Sequence, residues 1–337
     1  MIKTLIVDDS PLVRSIIKDF LGGDSSFEII GEAENGLDAI TQAQLLNPDL
    51  ITMDIEMPVM GGLQAIGEIK KIISPAIVVF STHNTAKMAY NAIVSGALEF
   101  FPKDILTPQM SAPQREQIFN TLKQITGIKA RVPVRQQTGQ EAQIGPRRID
   151  CVVIAASTGG PKALCQLCAD IPNDFSAPVV LVQHNTTGFD RGFAQWLDGY
   201  TPLNVCLAEE AAIPAKGDLY VAPTDKHLLL GKNGFQFDYG EAVHNQKPAA
   251  DVFFKSAAEL YGEALVSVVL TGMGSDGADG TRYVKQAGGI TIAQDEASSM
   301  IYGMPEAAFN TGCVDMTLPL GGIAQKLVFL TRGNGRA

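Results

Sequence analysis

The sequence predicts two consecutive α/β domains, each built on a largely parallel sheet. Short apolar runs alternate with segments of helical spacing over the first 120 residues, and the same alternation restarts at Ile149. Strands this apolar are typical of parallel sheets that are covered by helices on both faces. A length of 337 residues also suits two domains of ordinary size.

The first part of the chain predicts five strand–helix units. Thr4–Val7 is an apolar run that ends at two aspartates, and the helical pattern after it stops at Gly22 and Gly23. The predicted strands are Thr4–Val7, Phe27–Ala33, Leu50–Met53, Ala76–Phe80 and Leu98–Phe101, and the predicted helices are Leu12–Leu21, Gly36–Leu46, Leu63–Ile73, Thr85–Ser95 and Pro113–Ile125. Their alternation indicates a (βα)5 domain over residues 1–121.

The periodic pattern is lost between residues 122 and 147. This stretch is polar and rich in glutamine, and residues 112–148 carry seven Lys and Arg against two Asp and Glu. We interpret residues 122–147 as a solvated linker, and a basic patch that contacts nucleic acid is the alternative. The net charge of the whole chain is −10, which disfavours non-specific binding to nucleic acids.

Residues 148–337 predict the second domain, again with strands and helices in alternation. The predicted strands are Cys151–Ala156, Val179–Val182, Leu219–Val221, Val266–Leu270 and Ile290–Ala293, and the helical segments are one that opens at Pro161, then Gly188–Leu197, Ala249–Tyr261, Gly277–Gln286, Pro305–Asn310 and Gly321–Leu330. A hairpin of His227–Leu230 and Phe235–Tyr239 interrupts the alternation. The pattern predicts a doubly wound α/β domain.

The sequence indicates a cytoplasmic protein that is not inserted in a membrane. Its longest apolar runs, such as Ala264–Leu270, are far shorter than the roughly 20 residues of a transmembrane helix. Two aspartates follow Met1 too closely for the core of a signal peptide. Cys165 and Cys168 form a C-x-x-C pair, which we interpret as two buried helical thiols.

Five polar residues follow strands of the first domain: Asp8, Asp9, Asp54, Ser81 and Lys103. The carboxyl ends of parallel strands share one edge of the sheet, so we expect these side chains to lie together. Three carboxylates repel one another unless a cation lies among them, and oxygen ligands alone suit Mg²⁺. Lys103 and Ser81 can bind a phosphoryl oxygen there.

The first domain resembles the receiver domains of two-component response regulators over about residues 1–121. The resemblance is carried by Val-Asp8-Asp9-Ser, Met-Asp54-Ile-Glu-Met-Pro58, Val-Phe-Ser81-Thr and Phe100-Phe-Pro-Lys103. It implies a flavodoxin-like fold, with Asp54 as the phosphoryl acceptor, Mg²⁺ at Asp8, Asp9, Asp54 and the carbonyl of Glu56, and a switch formed by Ser81, Phe100 and Lys103. Gly61 and Asp104 depart from the usual Asp and Pro of that family.

Three polar residues follow strands of the second domain. Ser157 lies between a strand and a helix, where it can be a nucleophile, a helix cap or part of a phosphate-binding turn. His184 follows the next strand, and Asp276 lies in a glycine-rich segment after another, with Asp279 as the second candidate carboxylate. Together these residue types supply a nucleophile, a base and a carboxylate that orients the base.

The second domain resembles the catalytic domain of chemotaxis protein-glutamate methylesterases, the CheB family, over about residues 148–335. The matching segments are Ala-Ser157-Thr-Gly-Gly, Gln-His184, Gly188-Phe-x-x-x-Phe-Ala, Lys247-Pro-x-x-Asp251-Val-Phe-Phe, Leu-Thr-Gly-Met273-Gly-x-Asp276-Gly and Gly303-Met-Pro. The resemblance implies that Ser157 is the nucleophile, His184 the general base and Asp276 its orienting partner. It places the oxyanion or substrate contacts at Thr158 and Met273. Ala155, Asn185-Thr186 and Lys247-Pro-Ala-Ala depart from the usual family residues.

The combined resemblance implies phosphorylation-activated hydrolysis of glutamate methyl esters on chemoreceptors, with methanol release, and deamidation of receptor glutamines. It implies methyl-accepting chemoreceptors and a chemotaxis histidine kinase as partners, Mg²⁺ in the receiver domain and no cofactor in the catalytic domain. We also expect the receiver to restrain the esterase until Asp54 is phosphorylated. The alternatives are a non-catalytic response regulator and a DNA-binding one, and the acidic charge and lack of a predicted helix-turn-helix disfavour the latter.

Overall fold

The computed structural model describes residues 1–81, 86–107, 110–127 and 144–335, which belong to two compact units, residues 1–130 and 131–337. The first unit has the strands β1 (Ile2–Val7), β2 (Phe27–Ala33), β3 (Leu50–Met53), β4 (Ala76–Ser81) and β5 (Glu99–Pro102), and the helices α1 (Pro11–Gly22), α2 (Gly36–Leu46), α3 (Gly62–Ile72), α4 (Ala86–Ser95) and α5 (Ala112–Gly127). The strands are all parallel, in the order β2-β1-β3-β4-β5. This confirms the predicted flavodoxin-like (βα)5 fold.

Local sequence signals set the ends of the first helices. Ser10 caps α1, since its side chain accepts a hydrogen bond from the N–H of Val13, and Pro11 fixes the first helical residue. Asn35 caps α2 through the N–H of Asp38, and Asn47 ends that helix in a left-handed conformation. The start of α1 thereby fixes the backbone that follows the aspartate pair at the end of β1.

The boundary predicted at residue 121 lies inside α5, which continues to Gly127. Leu122 and Ile125 are buried, so the amphipathic face of the helix extends into the stretch that we interpreted as linker. At the other end of that stretch, Lys326 donates a hydrogen bond to the carbonyl of Ile144, and the N–H of Arg147 donates one to Leu330. The rest of the predicted linker, residues 128–143, lies outside the described residues.

The second unit contains a seven-stranded sheet in which every strand pair is parallel, in the order β14-β13-β12-β6-β7-β9-β8, and a separate antiparallel hairpin of β10 and β11. Its strands are β6 (Cys151–Ala156), β7 (Val179–Gln183), β8 (Asn204–Leu207), β9 (Asp218–Val221), β10 (His227–Gly231), β11 (Gly234–Asp238), β12 (Leu265–Val269), β13 (Ile290–Gln294) and β14 (Met316–Leu318). Its helices are α6 (Gly160–Ala169), α7 (Asp190–Asp198), α8 (Ala250–Tyr261), α9 (Ala278–Gln286), α10 (Met304–Asn310) and α11 (Leu320–Thr331). The predicted doubly wound architecture and the hairpin are confirmed.

The sequence analysis missed the two edge strands of this sheet, β8 and β14. They have only four and three residues, and β8 is partly exposed along its whole length.

The central strand β6 determines where polar side chains gather. Its neighbours are β7 on one side and β12 on the other, so the chain leaves β6 in one direction and returns on the opposite side. Sites in such sheets form at the carboxyl ends of the strands, at the point where the strand order reverses. All residues of β6, β7 and β12 are buried, which leaves the loops after them as the accessible parts. Among the described residues, no helix is both long and apolar enough to cross a membrane.

Candidate active site and phosphoryl-acceptor site

Ser157 occupies a tight turn between β6 and α6. Its N–H donates a hydrogen bond to the carbonyl of Thr271 (3.1 Å), and its own carbonyl accepts one from the N–H of Gly160 (2.7 Å). The turn passes through Gly159 with φ = 76°, in the left-handed region that favours glycine. The predicted nucleophile therefore lies on a turn that is fixed at both ends.

His184 forms a hydrogen bond with Asp276 across the sheet edge. The distance from His184 Nε2 to Asp276 Oδ2 is 2.8 Å, and both side chains are buried. An ionised carboxylate only accepts hydrogen bonds, so Nε2 is the donor and Nδ1 carries the free lone pair. Nδ1 is buried and has no hydrogen-bond partner among the residues that the structure describes. It is therefore the ring atom that can accept a proton.

Backbone N–H groups hold the carboxylate of Asp276 in place. The N–H groups of Ala250 and Asp251, at the start of α8, lie 2.7 and 2.9 Å from its two oxygens, and the N–H of Gly277 lies at 3.1 Å. Burial raises the pKa of this carboxyl, but the hydrogen bonds from His184 and the backbone outweigh burial and hold the pKa below its ordinary value. Asp276 is therefore an anion at neutral pH.

Gln183 links the backbones of the two predicted catalytic residues. Its Nε2 donates hydrogen bonds to the carbonyl oxygens of Ser157 and His184, each at 3.1 Å, and the N–H of His184 donates to Ala156 at 2.9 Å. The structure gives no hydrogen bond between the side chains of Ser157 and His184 within its described part. The contacts of Gln183 and Ala156 with the backbone, rather than a direct side-chain contact, hold Ser157 and His184 near one another. Catalytic hydrogen bonds are often long in the absence of substrate.

Thr158 directly follows Ser157 in the chain, and Met273 follows Gly272, which packs against Ser157. The carbonyl of Thr158 accepts a hydrogen bond from Thr271 Oγ1 (3.0 Å). Gly272, which precedes Met273, lies so close to Ser157 that a Cβ at residue 272 would be 2.8 Å from the Ser157 Cβ. The N–H groups of both predicted residues thus belong to the loops that surround the nucleophile.

The second candidate carboxylate, Asp279, does not join this group. Its side chain is 63% exposed and lies 3.4 Å from Arg282. The buried position of Asp276 and its contact with His184 favour Asp276 as the orienting carboxylate.

The sequence analysis assigned no role to Asp251, although the residue stands in one of the segments quoted for the family resemblance. Its Oδ1 accepts hydrogen bonds from the N–H groups of Gly277 (2.9 Å) and Gly280 (2.6 Å), on either side of the start of α9. The sequence shows an aspartate in the first turn of a predicted helix, but it does not show that this side chain contacts the start of α9.

The predicted acidic residues of the first unit meet at the carboxyl edge of its sheet. Ligand atoms of Asp8, Asp9 and Asp54 all lie within 4.8 Å of one another. Lys103 Nζ lies 2.8 Å from Asp8 Oδ2 and 2.8 Å from Asp54 Oδ2. Asp8 and Asp54 are buried, whereas Asp9 is exposed. The structure thus brings together the carboxylates and the lysine.

Electrostatics at this acidic site favour a cation. Burial raises the pKa of Asp54 above its ordinary value, although Lys103 acts in the opposite direction. Burial alone would lower the pKa of Lys103, but its contacts with Asp54 and Asp8 outweigh burial and raise it. A single lysine therefore faces two buried carboxylates, and the net negative charge that remains favours a further cation.

The remaining predicted residues of the receiver lie around this site with different exposure. Phe100 is buried, and its ring packs edge-on against Tyr90 at a centroid distance of 4.9 Å. Glu56 is exposed, in the loop after β3. The backbone of Ser81 ends β4, and its side chain lies outside the described part of the structure. Gly61 starts α3 without a side-chain cap, because the departure from Asp at this position removes the capping carboxylate.

The C-x-x-C pair lies on α6, where we expected buried thiols. Cys168 is fully buried and Cys165 partly buried. Burial raises the pKa of both thiols, so neither is a thiolate at neutral pH.

The chain matches two family models. Residues 4–112 match the response regulator receiver domain, and residues 152–327 match the CheB methylesterase. The first match lies within residues 1–121 and the second within residues 148–335, the two stretches that carry the resemblances noted above.

Relatives of known name align over almost the whole chain. A protein-glutamate methylesterase/protein-glutamine glutaminase of Pyrococcus horikoshii is 38% identical and aligns over 99% of this chain and 95% of its own. The protein of the same name in Clostridium acetobutylicum is 37% identical, with 98% of each chain aligned.

A solved structure resembles the second unit. The crystal structure of the Thermotoga maritima CheB methylesterase catalytic domain is 39% identical, with a TM-score of 0.52, and the match covers 53% of this chain and 97% of that one. Together with the two family models and the full-length relatives, this match shows that the chain belongs to the CheB methylesterase family, with a response regulator receiver domain ahead of its catalytic domain.

Proposed function

We propose that this protein hydrolyses glutamate methyl esters on chemoreceptors, with release of methanol, under the control of phosphorylation at Asp54. The hydrogen bond between His184 Nε2 and Asp276 Oδ2 carries the catalytic part of the proposal. It fixes the imidazole in one tautomer and leaves Nδ1 as the base. Gln183, which precedes His184, binds the carbonyl of Ser157 and so ties the two loops together. Family membership supports the choice of substrate.

In the proposed reaction, Ser157 Oγ attacks the ester carbonyl carbon while His184 Nδ1 takes the hydroxyl proton. The tetrahedral intermediate collapses with cleavage of the carbon–methoxide bond, and His184 returns the proton to the leaving group as methanol. Water then attacks the acyl-enzyme, His184 again accepts a proton, and cleavage of the bond to Oγ restores Ser157 and releases the glutamate side chain. The anionic Asp276 stabilises the imidazolium that forms in each step.

The negative charge of the tetrahedral oxygen requires hydrogen-bond donors. We assign this role to the backbone N–H groups of Thr158 and Met273. Thr158 directly follows Ser157, and Met273 follows Gly272, which packs against Ser157. Donors of this kind act on the intermediate rather than on the ground-state ester.

The same site can deamidate receptor glutamines. An amide differs from an ester in its leaving group, so His184 would protonate the departing nitrogen and ammonia would replace methanol. The names of the full-length relatives, which include protein-glutamine glutaminase, support this second reaction.

The receiver supplies regulation in this proposal. An Asp54 oxygen attacks the phosphorus of a phosphohistidine on a chemotaxis kinase, the phosphorus–nitrogen bond breaks, and an aspartyl phosphate forms. Asp8, Asp9, Asp54 and the carbonyl of Glu56 fit Mg²⁺, because the three carboxylates converge within 4.8 Å and every donor is oxygen. The bound ion would neutralise charge on the phosphoryl group. Lys103 would exchange part of its contact with Asp54 for a phosphoryl oxygen.

We propose further that the two phosphorylation states differ in how the receiver restrains the catalytic domain. We assign the transmission of this change to Ser81, the last residue of β4, and Phe100, which lies within β5. Receptors and kinase are the partners in this scheme.

The direct test is methanol release from a methylated receptor by the full-length protein. We expect turnover by the wild type and none by Ser157→Ala. Turnover by Ser157→Ala would exclude the proposed nucleophile, and no turnover by the phosphorylated wild type would favour a regulator that acts by binding alone.

A further inference from the structure

Asp251 connects the first turns of two helices that meet at the predicted catalytic carboxylate. Its backbone N–H, in the first turn of α8, donates to Asp276 Oδ1 (2.9 Å). Its side-chain Oδ1 accepts hydrogen bonds from Gly277 (2.9 Å) and Gly280 (2.6 Å), at the start of α9. One residue thus holds both the carboxylate of Asp276 and the backbone that immediately follows it.

This arrangement leaves little freedom to Asp276. The N-terminal N–H groups of a helix have no partner within the helix, and here those of α8 bind Asp276 while those of α9 bind Asp251. The side chain of Asp251 is nearly as buried as that of Asp276, at 8% and 2% exposure. Solvent therefore does not readily replace either set of hydrogen bonds.

We infer that Asp251 is a positioning residue for ester hydrolysis, which fixes Asp276 against His184 by clamping the start of α9 to the start of α8. This inference rests on the proposed function, because it assigns Asp251 a role through the His184–Asp276 pair. A misplacement of catalytic groups by about 1 Å can cost about 10²-fold in rate. The clamp should therefore affect kcat and leave substrate binding largely unchanged.

Other charged groups lie close to the side chain of Asp251. Its other oxygen, Oδ2, lies 3.1 Å from His244 Nε2, and Asp276 and Asp279 are the neighbouring anions. Burial, together with the repulsion from these two carboxylates, raises the pKa of Asp251 to about 6, although the N–H of Gly280 and His244 act in the opposite direction. The residue is therefore charged above about pH 6 and adds a negative charge beside the His184–Asp276 pair.

Two substitutions separate the clamp from the charge. Asp251→Ala removes the acceptor for Gly277 and Gly280. Asp251→Asn keeps a carbonyl oxygen for both N–H groups and removes only the charge. The two variants therefore separate loss of the hydrogen bonds from loss of the charge.

The experiment measures methanol release from methylated receptor by the full-length protein, with kcat expressed per active site titrated by a serine-directed phosphonate. We expect Asp251→Ala to lower kcat about 10- to 100-fold at unchanged KM. Asp251→Asn should stay within about threefold of the wild type, because it keeps the acceptor for both N–H groups. Gln286→Met, a change to an exposed residue on α9, should match the wild-type kcat.

Two results would overturn the inference: a wild-type kcat per site in Asp251→Ala, or an equal loss in Asp251→Asn and Asp251→Ala. Ser157→Ala, measured in parallel, separates this outcome from failure of the proposed function. If Ser157→Ala retains activity, the catalytic assignment is wrong. If it is inactive while Asp251→Ala is normal, only the positioning role is wrong.

Discussion

His184 binds Asp276 through Nε2, at 2.8 Å, so the base of the proposed reaction is Nδ1. His184 directly follows β7, and Asp276 is held from the far side by the first N–H groups of α8. The imidazole is thereby fixed at one nitrogen while the other has no partner among the described residues.

The two aspartates after β12 should differ sharply in their effect on catalysis. Asp276→Asn presents an amide N–H to His184 Nε2, which disturbs the tautomer that the base needs. We expect kcat to fall by about 10²- to 10⁴-fold. His184→Ala should cost at least as much, because the members of such a unit act together. Methanol release from methylated receptor measures each rate.

The matched control for this comparison is Asp279→Asn, which changes an exposed carboxylate three residues away. It should retain wild-type activity. A greater loss in Asp279→Asn than in Asp276→Asn would mean that the wrong carboxylate has been assigned.

Gln183 should contribute to kcat through the backbone. Gln183→Met keeps the length of the side chain but removes both donors, so the carbonyls of Ser157 and His184 lose a shared partner. We expect a loss of about 10- to 100-fold in kcat with little change in KM. The exposed glutamine Gln286, at the end of α9, provides the control variant Gln286→Met. A lower melting temperature with unchanged kcat would reduce Gln183 to a purely structural role.

Lys103 should stabilise the receiver and compete with Mg²⁺. Lys103→Met leaves two buried carboxylates without their cation. We expect the free energy of unfolding to fall by about 1–3 kcal/mol at neutral pH. Burial already raises the pKa of Asp54, so the folded variant binds protons more readily than the unfolded chain does. The difference in free energy of unfolding between Lys103→Met and the wild type should therefore shrink as the pH falls.

Scanning calorimetry with and without Mg²⁺ measures this effect. Addition of Mg²⁺ should raise the melting temperature of the receiver more in Lys103→Met than in the wild type, because no ammonium group competes for the carboxylates. An equal rise in both proteins would contradict this account of the site.

Phosphoryl transfer should depend on a single carboxylate of the acidic group. Asp54→Asn should abolish labelling by a small phospho-donor in Mg²⁺, because the amide is not a nucleophile. Glu56→Gln should still be labelled, because only the main-chain carbonyl of the exposed Glu56 is assigned to the metal. Label retained in Asp54→Asn would place the acceptor elsewhere.

Most of the fold could be predicted from the sequence because its strands are short, apolar and separated by helical patterns. Phe27–Ala33, Gly36–Leu46 and Leu50–Met53 have the same bounds in the prediction and in the structure. The missed strands, β8 and β14, have only four and three residues, and β8 is partly exposed along its whole length. The predicted helix Pro113–Ile125 corresponds to α5, Ala112–Gly127, although the predicted domain boundary at residue 121 lies inside it.

The candidate site could be predicted only in part. Ser157, His184 and Asp276 follow strands, so their place at one sheet edge follows from the topology. The role of Asp251 depends on how α8 and α9 meet, and that of Gln183 on which way a buried amide points. Such contacts arise from packing between segments that are distant in sequence, and no local pattern encodes them.

The central claim is that Ser157 hydrolyses receptor esters under the control of Asp54. Its most direct test is the rate of methanol release from methylated receptor by the full-length protein, before and after treatment with a phospho-donor and Mg²⁺. We predict a rise of about 5- to 150-fold in the wild type, the range typical of coupling between sites, and no rise in Asp54→Asn. A rate that phosphorylation leaves unchanged in the wild type would contradict the account.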